Sequence, residues 1–323
     1  MMLSLVIGLI VIGSAFALYL GGKQTARISR ELTATQDAGR LILDVIAREL
    51  RSAGDFGCPP AQLRISTLAQ PNRLNLALPP LLGFEAGTSP SGVGRLGVAS
   101  AIGAQPLSDG LSISAVSGTS VPIIVQAAAS TDSLTVRSTD GFLAGDIAVV
   151  ADCLAASVFE VTAINQVANG TLLSHIARVA AGGSASGGNT TDDIETSFRS
   201  GSEVGRLDTS WWFVAMPVGR PRGLYRMSGA TGIASLVSDR VRDLKFTYGI
   251  DTTGDGLPDQ LNIQASSVTD WAQVVNVRLE LLLRSENQVN EIPTPYFFNG
   301  VNVTPTDRYV YLPVEITSKV RNR

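Results

Sequence analysis

Histidine and cysteine are almost missing from this chain of 323 residues, which has one of the first and two of the second. That scarcity starves most metal centres, which draw on clusters of the two, and most schemes in which an imidazole moves a proton. Charge is sparse as well: 16% of residues are charged, 25 basic against 28 acidic, for a net charge of -3. The basic residues form no cluster able to neutralise a phosphate backbone, so no directly bound nucleic acid is expected. What is abundant is apolar surface and glycine, with 45% hydrophobic residues and 32 glycines. Such a composition excludes a disordered tail or a collagen-like rod and leaves one large or two ordinary folded domains. A protein that is not an enzyme is the expectation.

Between Met1 and Gly22 charge is absent altogether. Leu5, Val6, Ile7, Leu9, Ile10, Val11, Ile12, Phe16 and Leu18 make this stretch aliphatic enough to cross a bilayer, since about 20 helical residues span roughly 30 Å of hydrocarbon. Ala15-Phe16-Ala17 has the look of a signal cleavage site, but a basic flank before the apolar run and a shorter run are both missing, so a retained helix is expected. Lys23, Arg27 and Arg30 follow the span, and on the positive-inside rule they place the remainder in the cytoplasm. A short basic leader ahead of Met1 would reverse that orientation.

The helical pattern continues past Lys23 without a proline as far as Gly57. Ile28, Leu32, Leu41, Ile42, Val45, Ile46 and Leu50 recur at three- and four-residue spacing, joined on one face by Thr35, Ala38 and Gly39. Arg40 with Asp44, and Asp44 with Arg48, are one turn apart and can pair. Gly54, Gly57 and Pro59-Pro60 stop the helix. Three regions follow: a membrane-spanning segment over 1–22, its amphipathic continuation over 23–57, and an exported globular body over 58–323 with a subdivision near 181–190.

Segments 111–116, 133–136, 146–150, 157–161, 211–215 and 274–283 alternate or run apolar with β-branched residues, and they predict antiparallel strands. The fold class is therefore α+β, one long N-terminal helix packed on an antiparallel β-rich body. Cys58 and Cys153 favour a disulfide in an exported chain. Closing a loop of about 95 residues stabilises a fold by about 4–5 kcal/mol in the chain-entropy treatment.

Few motifs suggest chemistry. Gly92-Val93-Gly94-Arg95-Leu96-Gly97 matches GxGxxG but follows a Ser/Pro/Gly loop and joins no strand to a helix, so no nucleotide is expected there. Ser174 beside His175 lacks the elbow and the carboxylate of a catalytic triad. Asp251, Thr253, Asp255 and Asp259, with Gly256 at the sixth position, partly imitate a calcium loop. The twelfth position is Asn262 instead of a bidentate Glu, and a plain hairpin connection accounts for the same residues. Calcium is the one cofactor considered; otherwise none is expected. Trp211 and Trp212 could offer a binding patch, but strand neighbours face opposite ways, so at least one belongs to a core. Asn169-Gly170-Thr171 fits a glycosylation acceptor only formally.

An aliphatic span running into an amphipathic helix, then a cysteine and a β-rich body, resembles the type IV pilin superfamily. The segments Leu3 to Gly13, Ala47 to Cys58, Ala151-Asp152-Cys153 leading to Val158-Phe159, Val241 to Asp251, Trp271 to Arg284 and the ending Arg321-Asn322-Arg323 are similar to the PilW minor pilins. The resemblance covers the chain from end to end and is weakest between Pro60 and Leu107. Pilins carry a basic leader, a glycine cleavage site and a register glutamate five residues into the mature chain; none stands before Met2, and none is assigned here. The resemblance implies a low-abundance pilus subunit that helps initiate or cap the fibre, with roles in motility, adhesion or DNA uptake. Its implied partners are other minor pilins, the major pilin and the assembly machinery. It implies a place in the bacterial inner membrane with the body in the periplasm, then in the surface pilus. A type II secretion minor pseudopilin shares the same features, and a membrane-anchored exported module for calcium or glycan is the alternative from another class.

Overall fold

A computed structural model describes residues 2–56, 64–68, 80–87, 104–138, 141–177, 188–229 and 232–320, with the side chains of 2–7, 10, 11 and 64–66 outside that description. Helix α1 runs unbroken over Met2–Ser52, about 77 Å at 1.5 Å per residue. It ends where Gly54 takes φ +75° and donates its N–H to the Ser114 carbonyl at 2.9 Å, a left-handed step that a residue with a side chain resists.

Strands β1 (Arg64–Ser66), β2 (Leu81–Phe84), β3 (Gly110–Val125), β4 (Leu134–Val136), β5 (Ile147–Ala151), β6 (Ala156–Glu160), β7 (Ala163–Val167), β8 (Gly170–Ser174), β9 (Glu203–Ala215), β10 (Gly223–Ser228) and β11 (Ala234–Ser238) form one large sheet. Its axis is the antiparallel ladder of β3 and β9, from Gly110↔Phe213 to Pro122↔Glu203. The free edge of β9 is shared by β10 and β5, and that of β3 by β2 and β4. One pairing is parallel, β1 with β6, a departure from the antiparallel expectation. The strands expected at 111–116, 133–136, 146–150, 157–161 and 211–215 all fall within this sheet to within a residue or two. Strands on both sides of 181–190 belong to it.

The second sheet has four strands in the order β13 (Gln260–Ile263), β12 (Val241–Ile250), β14 (Val274–Gln288) and β17 (Tyr309–Lys319), antiparallel throughout. A hairpin of β15 (Tyr296–Phe298) and β16 (Val301–Val303) lies beside it. The buried face of α1 packs on this sheet, and their shared core reaches the large sheet through Leu111, Ile113, Trp212 and Val214. Asp109 joins the sheets again, its carboxylate 2.9 Å from Lys245 Nζ on β12.

Successive contacts fix the direction of the helix. Gln24 donates to the Val289 carbonyl, Glu31 meets Glu286 and Asn287, Gly39 meets Leu283 and Val314, and the Ala47 carbonyl accepts from Ser318 at 3.4 Å. The helix therefore runs antiparallel to β14 and parallel to β17. Gly39 to Ala47 advances about 12 Å along a helix and Val314 to Ser318 about 13 Å along a strand, so the two stay in step.

The inward stripe is Thr35, Gly39, Ile42, Leu43, Ile46, Ala47 and Leu50, all buried. Leu41 and Val45 correct the expectation of a single face: they are 66% and 38% exposed. Each sits about 100° around the helix from Ile42 or Ile46, and the sheet takes the isoleucines. Gly39 sets the approach distance, since a Cβ there would lie 2.9 Å from a Leu283 methyl and 3.2 Å from Val314.

Candidate functional site

The chemistry of α1 is that of a clasped arm. Near its C-terminus the Glu49 carboxylate accepts from Trp212 Nε1 at 2.7 Å, from Arg226 Nε at 2.9 Å and from the Ser210 hydroxyl. Two turns of sequence separate that clasp from the apolar stripe's centre, and three ligands from β9 and β10 hold it. Further up, Glu31 accepts from Asn287 Nδ2 at 2.8 Å and from the Glu286 amide at 3.1 Å, with Arg240 3.8 Å away. The Asn287 hydrogen bond, with help from that amide and from Arg240, holds the Glu31 carboxyl below its ordinary value against the cost of burial. Arg240 is shared with Glu286 at 2.9 Å.

The opposite side of α1 is open. Leu9, Ile12, Phe16, Leu18, Tyr19 and Leu20 are exposed in the N-terminal half, and Leu41 and Val45 are exposed on the docked half, with the exposed Lys23, Arg27 and Arg30 between the two groups. Among the described residues no helix is long and apolar enough to cross a membrane. Leu5, Val6, Ile7, Ile10 and Val11 of the expected span have side chains outside the described residues. Asp44 and Arg48 pair at 2.6 Å on the exposed side, as their spacing suggested.

Cys153 follows β5 and is not a free thiol; Cys58 lies outside the described residues, as does the glycine motif at 92–97. His175 is buried, its Nε2 2.9 Å from the Asp132 carbonyl oxygen and its ring 5.2 Å from that of Phe159, while Ser174 Oγ meets Ser133 Oγ at 3.0 Å. The serine and histidine thus serve separate packing contacts. Trp211 and Trp212 are both buried, on opposite faces of β9: Trp211 lies 6.1 Å from Phe84, and Trp212 belongs to the core under the helix.

The acidic loop between β12 and β13 turns its carboxylates onto its own backbone. Asp251 accepts from the amides of Gly254 at 2.6 Å and Gly256 at 2.8 Å, and Asp255 accepts from Leu257 at 2.8 Å. Asp259 accepts from the Thr252 hydroxyl and amide and from the Thr253 amide. Those bonds, led by the Thr252 hydroxyl, hold Asp259 below its ordinary value. Thr253 reaches Asp251 at 3.4 Å. Among the described residues no group of three or more His, Cys, Asp or Glu is arranged to hold a metal ion. The bonding is that of a loop closed by aspartate turns.

The clasp at Glu49 and the bonds to Glu31 were not anticipated from the sequence. Glutamate on the buried side of a helix that otherwise buries aliphatics was the available signal for Glu49; its partners, over 160 positions away, carried none.

Fold and site together define an α+β protein in which a long helix is clasped over its C-terminal half and left open over the rest. Residues 220–322 match the PilW family model, described as Type IV Pilus-assembly protein W. That match spans β10 to β17, the segment that supplies the whole helix-docking sheet. The chain thus carries, in its C-terminal third, a region similar to that family of pilus-assembly proteins. The searches of curated proteins and of solved structures return no match.

Proposed function

We propose that this protein is a minor pilin subunit of a type IV pilus. The observation that carries the reading is the coincidence of the PilW-type region with the sheet that holds α1. In this reading residues 1–22 sit in the inner membrane while the body waits in the periplasm, and assembly moves the helix from lipid to the equivalent helices of neighbouring pilins. Lipid and a helix core are similarly apolar, so packing and register govern that transfer more than hydrophobicity does. The exposed apolar residues of the N-terminal half of α1, Leu9, Ile12 and Phe16, support this reading because a neighbouring helix can cover them, and Leu41 and Val45 form a second, smaller exposed apolar pair. Partners are other minor pilins, the major pilin and the assembly machinery. A Cys58–Cys153 bridge belongs to the same reading, pinning the helix exit to the end of β5.

Deleting the gene is expected to lower the number of surface pili and to impair twitching, with both restored by the intact gene in trans. Unchanged piliation and twitching overturn the reading.

A further inference from the structure

The face of the C-terminal sheet turned away from α1 carries an open groove of about 410 Å³. Its floor is two register pairs, Lys245↔Glu280 and Thr247↔Arg278, whose side chains alternate with Phe246 and Leu279 of the core. One wall is Asn262 and Gln264 at the end of β13; the other is Phe297 and Asn299 at the tip of the β15–β16 hairpin.

Among the described residues three non-glycine residues have positive φ, and two of them lie in these walls, Asn262 at 57° and Asn299 at 49°. Asn299 with Gly300 makes the tight turn of the hairpin, which requires that conformation. Asn262 has no turn to make. It sits in a bulge, where three steps along β13 from Gln260 to Ile263 match two along β12 from Ile250 to Tyr248. The strained backbone sets a carboxamide at the rim of the groove.

The lining selects a class of ligand. Thr247, Asn262, Gln264 and Asn299 each present a side chain that both donates and accepts, and none of the four makes a side-chain hydrogen bond to another described residue. The cations are already spoken for: Lys245 pairs with Asp109 at 2.9 Å and Arg278 with Glu315 at 2.5 Å, while Glu280 adds a negative charge to the floor. An anion therefore finds no net attraction, and a hydrocarbon leaves the amides unpaired. Phe297, 56% exposed, offers a flat apolar ring beside them. Mixed donors and acceptors around one aromatic platform suit a ligand with hydroxyls on its edge and C–H bonds on its face.

We propose that this groove is a binding site for a neutral saccharide, with Asn262, Gln264 and Thr247 reading its hydroxyls and Phe297 stacking on the ring. The site lies on the opposite face from the helix contacts, so its occupancy is separable from assembly.

The test is saturation-transfer NMR on the full chain in a zwitterionic detergent free of sugar headgroups. The probes are methyl glycosides of glucose, galactose, N-acetylglucosamine and N-acetylgalactosamine, together with malto-, cello- and chito-oligosaccharides and a heparin fragment. At least one neutral sugar is expected to bind, and Asn262→Gly, Gln264→Ala and Phe297→Ala are each expected to weaken it about tenfold. Asn262→Gly removes the amide while accepting the positive φ, and an unchanged melting temperature for each variant separates lost binding from lost folding. Binding by no neutral sugar, by the heparin fragment alone, or undiminished in all three variants overturns the proposal.

Discussion

Glu49 Oε2 and Trp212 Nε1 stand 2.7 Å apart, a carboxylate on α1 holding an indole of the large sheet. Because Arg226 and Ser210 share the same carboxylate, one side chain ties the helix to two strands. Glu49→Ala leaves the buried indole N–H without an acceptor and is expected to cost about 1–3 kcal/mol, read as a lower denaturant midpoint. Arg48→Ala, one position away but in an exposed pair, is expected to change stability by less than about 0.5 kcal/mol. Equal effects of the two would contradict the clasp.

Gly39 is a packing position. Helix propensity alone favours valine over glycine there, yet the added side chain would press on Leu283 and Val314. Gly39→Val is expected to destabilise by about 1–3 kcal/mol in thermal or denaturant unfolding. A stabilised variant would mean that the helix does not approach the sheet this closely.

Acid should loosen the helix through Glu31. Its carboxyl is held below the ordinary value of 4.5, first by Asn287. A depressed folded-state value means that the stabilisation is complete above the ordinary value and is lost as pH falls through the folded-state one. The stability difference between the wild type and Glu31→Gln is expected to be largest near neutral pH and to close below about pH 4 in denaturant titrations. A gap that widens on acidification would reverse the assigned sign.

The acidic loop makes a prediction about calcium. With Asp251 and Asp259 closed on backbone amides, melting temperatures in excess calcium and in chelator are expected to agree. Asp251→Ala, which strips acceptors from Gly254 and Gly256, is expected to lower stability in both media. A rise in melting temperature with calcium would instead favour Asp251, Thr253, Asp255 and Asp259 as ligands.

Leu41 and Val45 separate folding from assembly. Leu41→Glu changes an exposed position and is expected to leave the unfolding free energy within about 0.5 kcal/mol of the wild type. Under the proposed function it lowers incorporation into pili, measured by immunoblot of sheared surface fibres. Full incorporation would remove this side of α1 from the interface.

The parts of the fold that could be read from sequence were those with a local period. The uncharged run and its amphipathic sequel gave α1, and alternation of β-branched residues located β3, β5, β6, β9 and β14. Which pairs along the helix turn inward was not local information: Leu41 and Ile42 are equally apolar, and only the position of β14 and β17 decides between them. The long ladder between β3 and β9 joins residues nearly a hundred positions apart, beyond the reach of any window. The groove was hidden for the same reason, since it is assembled from three strands and a hairpin. Asn299-Gly300 marked its turn, but nothing in the order of residues around Asn262 announces a bulge.

Because α1 lies alongside β17 and in step with it, tension drawn along the helix reaches the sheet parallel to its strands. The bonds from Asn276↔Lys319 to Arg284↔Tyr311 then resist together, in shear, and are not unzipped one after another from an end. A subunit pulled by its arm would hold its body the way an overlapped seam holds cloth.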